Sequence, residues 1–284
     1  MGYAVAELEA ALSPPPDPTG AGFFDVDNTM LQGASVYYLA RGLAARRYFS
    51  ASDLVRFGMK QLRFRLLAAE NGGDVSQARE QALAFVAGRP VDQLNHLAEE
   101  IFDELMAERI WAGTHALARM HLDAGQRVWL VTAAPVEIGL VIAQRLGLTG
   151  AMGTVAEIVD GVYTGRLVGG MMHGPAKAAA ITDLAAKEGL DLARCAAYSD
   201  SVNDVPMLSA VGRPVAVNPD SALRRVARER GWEVRDFRTG RKAARVAVPA
   251  ALGAGAVAGA VAAAIAFNRR STLRAARRRA LGED

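Results

Sequence analysis

An α/β fold with a parallel-sheet core, an inserted helical cap and a C-terminal hydrophobic helix is what this sequence predicts, and three observations carry it. From Gly22 onward, short apolar runs alternate with helical stretches, the pattern of strands joined by crossover helices. Residues 34–110 break that alternation and hold helical periodicity without strand signals. Residues 246–267, "VAVPAALGAGAVAGAVAAAIAF", run for 22 positions without a charge.

Taken in order, residues 1–20 read as a short amphipathic helix ending at Ser13 and a Pro-rich linker. They lack the basic start and apolar core of a secretory signal. "GFFDV" is the first strand, and it ends on Asp25 and Asp27. In the cap, Val55, Met59, Leu62 and Leu66 keep three-to-four spacing while Arg56, Lys60 and Arg63 mark another face. "RPVDQLNHLAEEIFDEL" begins a further helix. The core, 21–33 and 111–240, resumes with a helix near His115 to Asp123 that feeds "RVWLVTAAP", a second strand stopping at Thr132. "VAEIVDGVYTGRL" reads as a hairpin turning at Asp160-Gly161. "ARCAAYSDS" and "RPVAVN" are the third and fourth strands, and "EVRDF" adds an edge strand. Asp25, Thr132 and Asp200 thus fall at strand ends, where open α/β sheets bind ligands.

A hydrophobic share of 51% with 22% charged is globular composition and excludes disorder as the default. The single cysteine, Cys195, allows no intramolecular disulfide, which fits a reducing compartment. The basic balance belongs mainly to the tail, 268–284, which holds six arginines against Glu283 and Asp284. No aromatic residue is interleaved with those arginines, so nucleic acid is not the expected partner.

The 246–267 run is long enough to cross a bilayer core of roughly 30 Å. It is therefore expected to tether the chain to a membrane, with the preceding domains on the cytoplasmic face. Arg238, Arg241, Lys242 and Arg245 precede it and the tail arginines follow, so charge bias leaves its orientation open. Gly255 and Gly259 form a GxxxG that permits helix pairing and hence a homodimer. From Arg41 to Arg65 the cap carries seven basic residues and one acid, Asp53. That stretch is either a solvated face or an attraction for anionic substrate or lipid.

Four short segments concentrate the polar chemistry: "DVDNT", "VTAAP", the lysine of "HGPAKAAAI", and "YSDSVNDVPML". Singly each has an ordinary explanation. A lone DxD also binds metal in nucleotide-sugar transferases, a threonine can cap a helix, and "SDSVND" can be a capping box. The lysine discriminates better, since Lys177 is one of four lysines against 29 arginines. In this order, with a helical insert after the first, the segments resemble the four motifs of haloacid dehalogenase superfamily phosphatases. The phosphoserine phosphatase-like branch is the most similar, over roughly residues 21–237.

The resemblance implies a Rossmann-like core and a Mg2+-dependent phosphomonoesterase. Asp25 would be the nucleophile that forms an aspartyl-phosphate, and Asp27 the general acid and then base. Lys177 would neutralise charge on phosphate and nucleophile, and Thr132, Ala133 and Asn203 would lie at the phosphate. Asp25, the Asp27 carbonyl and Asp200 would ligate Mg2+, with Asp204 completing the acidic cluster. Two departures argue against free phosphoserine. The branch carries a glutamate for the substrate's amino group where this chain has Ala34, and Ser-Gly-Gly where it has Thr132-Ala133-Ala134. The expected substrate is a small or lipid-linked phosphate, and the alternative is a phosphoryl-binding module of the same fold without turnover.

Overall fold

The computed structural model describes residues 17–48 and 86–238. The expected N-terminal helix, the cap helix around Val55 to Leu66, the 246–267 segment and the basic tail lie outside them. The chain divides into two units.

The described part of the first unit comprises residues 17–32, 110–153 and 172–238. Its strands are β1 (Ala21–Phe24), β2 (Arg127–Pro135), β3 (Gly150–Thr154, whose last residue is counted with the second unit), β6 (Ala196–Ser199), β7 (Arg213–Val217) and β8 (Glu233–Arg235). They form one six-stranded sheet in the order β3-β2-β1-β6-β7-β8. The pairings of β1 with β2 and β6, of β6 with β7 and of β7 with β8 are all parallel. β1 and β6 are buried along their whole length, as expected of central strands covered by helices on both faces. The helices of this unit are α3 (Ala112–Asp123), α4 (Val136–Arg145), α5 (Pro175–Glu188), the short α6 (Val205–Ser209) and α7 (Ser221–Glu229). From β1 the chain builds outward through β2 to β3, then returns to the other side of β1 for β6, β7 and β8. The order therefore reverses between β1 and β6, the switch point where such sheets open a crevice beyond the strand ends.

Three strands differ from the sequence reading. β1 ends at Phe24, two residues short of Val26. β2 continues past Thr132 to Pro135. β3 is absent from that reading, because "GAMGT" is poor in β-branched and aromatic residues. Its place comes from the fold: the Thr149 amide donates to the Val128 carbonyl at 2.9 Å, and the Thr149 hydroxyl accepts from the Val128 amide at 2.8 Å.

The second unit groups 33–109 with 154–171, the latter a stretch that the sequence alone assigns to the core. Its described elements are helix α1 (Ser35–Ala45), helix α2 (Val91–Ile101) and the antiparallel pair β4 (Ala156–Val159) and β5 (Val162–Leu167). α2 runs on into a π-helical turn, Phe102–Met106, and a final 3-10 turn, Ala107–Arg109. The hairpin turns at Asp160 and Gly161, both with positive φ, as a two-residue primed turn requires. Backbone bonds decide its membership: Gly88 N to Tyr163 O at 2.8 Å, Tyr163 N to Arg89 O and Val91 N to Gly161 O, each at 3.0 Å. A Cβ on Gly42 would lie 2.4 Å from Ile101 Cγ1, so glycine there sets how closely α1 and α2 approach.

Of the seven cap bases, Arg41, Arg46 and Arg47 lie among the described residues. Arg46 is neutralised by Glu100 at 3.0 Å and Glu104 at 2.7 Å. Among the described residues no helix is long and apolar enough to cross a membrane.

Candidate active site

The break after β1 has a local cause. Asn28 adopts φ 60°, a left-handed conformation that asparagine tolerates better than most side chains. It folds the chain back so that the Met30 and Leu31 amides both donate to the Val26 carbonyl at 2.9 Å. Asp25, one residue past the end of β1, stays buried, and Asp27 is half-buried on the returning turn.

Helix α5 delivers the counter-charge. Gly174 caps it in a positive-φ conformation and Pro175 occupies its first turn, which sets Lys177 at the helix start. A cation there meets the unfavourable end of the helix dipole, and it is also 3% exposed. Two carboxylates offset both penalties: Lys177 Nζ donates to Asp25 Oδ1 at 2.5 Å and to Asp204 Oδ2 at 2.8 Å. Burial pulls the ammonium's pKa down, but the charges of Asp25 and Asp204 outweigh it and the net shift is upward.

Asp200 follows β6, and its loop is pinned from two sides. The Asp220 amide donates to the Asp200 carbonyl at 2.8 Å, and Thr29 Oγ1 lies 3.5 Å from Asp200 Oδ1. Burial raises the pKa of both Asp25 and Asp200. Lys177 pulls Asp25 down, but Asp204 and Asp27 push it up again, and Asp25, Asp204, Asp27 and Asp220 all push Asp200 up. Crowded carboxylates of this kind call for a cation.

The donor set fits Mg2+ in one specific sense. Among the described residues no three His, Cys, Asp or Glu side chains form a ready-made cage. Mg2+ rarely uses one, taking one or two carboxylates and completing its octahedron with water and substrate phosphate. Asp25 and Asp200, close enough for the one charge to act on the other, and the Asp27 carbonyl are the groups that could serve in such a partial shell. Asp204 lies in the same acidic cluster, and its Oδ2 accepts from both Lys177 and Ser199.

Thr132 is buried, and its Oγ1 accepts from the Ala134 amide at 3.1 Å, which leaves the hydroxyl proton to donate. Ala133 is half-buried beside it. A Cβ on Gly153 would stand 2.7 Å from Val136 Cα and 2.9 Å from Ala134 O, so β3 approaches this turn through a glycine. Asn203 sits in the 3-10 turn Val202–Asp204 with its side chain exposed. His173 is likewise exposed.

A surrounding set of residues is missing from the sequence reading. Ser199 Oγ donates to Asp204 Oδ2 at 2.8 Å and accepts from the Ser201 amide at 3.2 Å. Asp220 accepts from Val202 N at 3.2 Å and Leu223 N at 2.6 Å. Asn218, at the end of β7, donates to the Asn28 carbonyl at 3.3 Å and accepts from the Phe237 amide at 2.8 Å. Their signal is present as polar residues at strand ends, but only the fold says which loops they join. Ser199→Ala should lower stability by about 1–3 kcal/mol, because a buried acceptor loses a donor. An unchanged urea midpoint would show that this bond contributes nothing.

Known proteins resemble this chain in sequence and in fold. A model of the haloacid dehalogenase-like hydrolase family matches residues 23–209. The chain belongs to the haloacid dehalogenase-like hydrolases. It is 59% identical over 246 residues to phosphoserine phosphatase SerB1 of Mycobacterium tuberculosis, covering 87% of this chain and 80% of that one. A solved Bordetella pertussis Tohama I protein of unknown function superposes with a TM-score of 0.66 at 32% identity, over 78% of this chain and all of that one. A phosphoserine phosphatase solved as a phospho-aspartyl intermediate analogue shares the fold, with a TM-score of 0.51 at 18% identity over 78% of this chain and 97% of that one. The chain is thus a phosphatase of the haloacid dehalogenase type, in the phosphoserine phosphatase-like branch.

Proposed function

We propose that this phosphatase hydrolyses phosphomonoesters through an aspartyl-phosphate on Asp25, with Mg2+ as cofactor. The observation that carries the reading is the buried Lys177 bridging Asp25 and Asp204, a charged arrangement that a purely structural core would replace with apolar packing. Lys177 holds Asp25 Oδ1, which leaves Oδ2 to attack phosphorus. The bond from phosphorus to the ester oxygen breaks, and Asp27 gives its proton to the departing alcohol. Asp27 then takes a proton from water, whose oxygen attacks phosphorus and breaks the bond to Asp25. Thr132, Ala133 and Asn203 lie on the phosphate side of this scheme. Mg2+, when held by Asp25, Asp200 and the Asp27 carbonyl, supplies positive charge to the phosphoryl oxygens.

The substrate in this reading is a small or lipid-linked phosphate. Ala34, the half-buried residue that precedes α1, offers no carboxylate to an ammonium group. The name of the Mycobacterium tuberculosis relative favours a second reading, phosphoserine itself. Steady-state kinetics on phosphoserine and on the same ester lacking the amine separate the two. The first reading expects kcat/KM for phosphoserine to be no higher than for the amine-free ester, since a desolvated ammonium without a partner is costly. A preference above about tenfold, or roughly 1.4 kcal/mol, would establish phosphoserine and require another residue to bind the amine.

The uncharged 246–267 run supports a membrane tether that leaves the catalytic part on the cytoplasmic face, where helix pairing through Gly255 and Gly259 would give a homodimer.

A further inference from the structure

Charge is divided sharply along this chain. Residues 17–212 hold 17 basic and 22 acidic side chains, a net of −5, whereas residues 213–245 hold 10 basic and 4 acidic, a net of +6. The fold gathers half of the second group, seven of its fourteen charged side chains, at one edge of the sheet, on β7, on helix α7 and on the edge strand β8.

Three of the four acids there are already engaged. Asp220 caps α7, Glu233 pairs with Arg213 and Arg235, and Asp236 pairs with Arg224 and Arg238. α7 buries Leu223 and Ala227 and exposes Ser221, Arg225, Arg228 and Glu229. Spacings of four and three put these on one outward face. Neither Arg225 nor Arg228 has an ion-pair partner among the described residues, and with Glu229 as the one acid beside them the outward face keeps a net charge of +1.

The chain's continuation points to what this face meets. Beyond Arg238 come Arg241, Lys242 and Arg245, and then the uncharged run from Val246. Eight residue steps separate Arg238 from Val246, a reach of at most about 30 Å. Basic residues adjoining an apolar span are the pattern that anionic lipid headgroups attract. Nucleic acid is less well served, because Trp232 is half-buried and Arg230 already lies over its ring.

We infer that the outward face of α7, centred on Arg225 and Arg228, docks on an anionic lipid surface. The inference rests on the tether reading of 246–267, whose failure must be separable from its own. Two arginines at such a surface strengthen the contact by roughly thirtyfold.

The sole cysteine, Cys195, is buried, so Ser221→Cys, at an exposed and uncharged position, gives one labelling site on the α7 face without changing its charge. The full chain carrying a fluorophore there is mixed with neutral phosphatidylcholine vesicles and with vesicles containing phosphatidylglycerol, both bearing a headgroup nitroxide quencher. Flotation and quenching are read together. The expected result is flotation on both kinds, with quenching on the anionic vesicles only, lost at about 0.5 M salt, where the screening length is only a few ångströms, and in R225E/R228E. R225Q/R228Q serves if the charge reversal fails to fold, and hydrolysis of a small soluble phosphate at the parent rate checks folding in either variant. Flotation on anionic vesicles alone, abolished by R225E/R228E, supports the docking face and removes the tether. Flotation on both with equal quenching overturns the docking face and leaves the tether standing. Flotation on neither overturns both. A label that responds to an RNA oligomer but not to vesicles overturns the lipid assignment in favour of nucleic acid.

Discussion

Asp25→Asn is expected to reduce kcat on a generic aryl phosphate by on the order of 10^4- to 10^6-fold. An amide oxygen is a poor nucleophile toward phosphorus, and the substitution changes neither size nor backbone. The variant should keep its fold, because the substituted amide still offers an oxygen acceptor to Lys177 Nζ, which sits 2.5 Å from Oδ1 in the parent. Rapid quench with a 32P-labelled substrate gives an independent reading. The parent should show acid-stable, base-labile label on the protein, and the variant none. Parent-level turnover in the variant would end the assignment of Asp25 as nucleophile.

Lys177→Met should lower stability by about 3–5 kcal/mol, because it strands the buried Asp25 and Asp204 without their cation. For a domain of this size that is a fall in Tm of roughly 6–20 °C. Lys187→Met is the control: it removes an exposed lysine from the same helix and should stay within about 0.5 kcal/mol of the parent. Turnover should fall with Lys177→Met as well, by roughly 10^2- to 10^3-fold, as for loss of one preorganised group facing developing negative charge. Equal melting of the two variants would show that the lysine does not neutralise the cluster.

The acidic cluster and its lysine are legible before any fold because phosphoryl chemistry demands unusual residue types at strand ends. Asp25, Asp200, Asp204 and Lys177 are brought together from positions as far apart as 25 and 204. Asn203 is exposed while its neighbour Asp204 is buried, a difference that adjacent polar positions in a sequence do not announce. The strand around "GFFDV" is legible from its apolar run, although it ends at Phe24. β3 is not, because "GAMGT" carries little intrinsic preference and is recruited by its neighbour, Val128. The hairpin is legible as a hairpin through Asp160-Gly161, but its membership is not. That depends on backbone bonds from residues 88–91, and no local signal announces them. Ser199 reads as an ordinary polar residue until the fold brings Asp204 within hydrogen-bond reach.

The position of β1 bears on how the chain must be made. It is the first strand of the sheet to be synthesised and is central in it, yet its partners arrive late. Gly22 pairs with Val128, 106 residues downstream, and with Ala196, 174 residues downstream. At about 5–20 residues per second the second wait is roughly 9–35 s. Throughout it Phe23 and Phe24, both fully buried in the finished protein, have no sheet edge to join on at least one side. Pairings this distant also slow the search for the native arrangement once the chain is released. The topology that brings Asp25 and Asp200 to the same end of the sheet thus leaves the apolar first strand exposed to aggregation while the chain is being made.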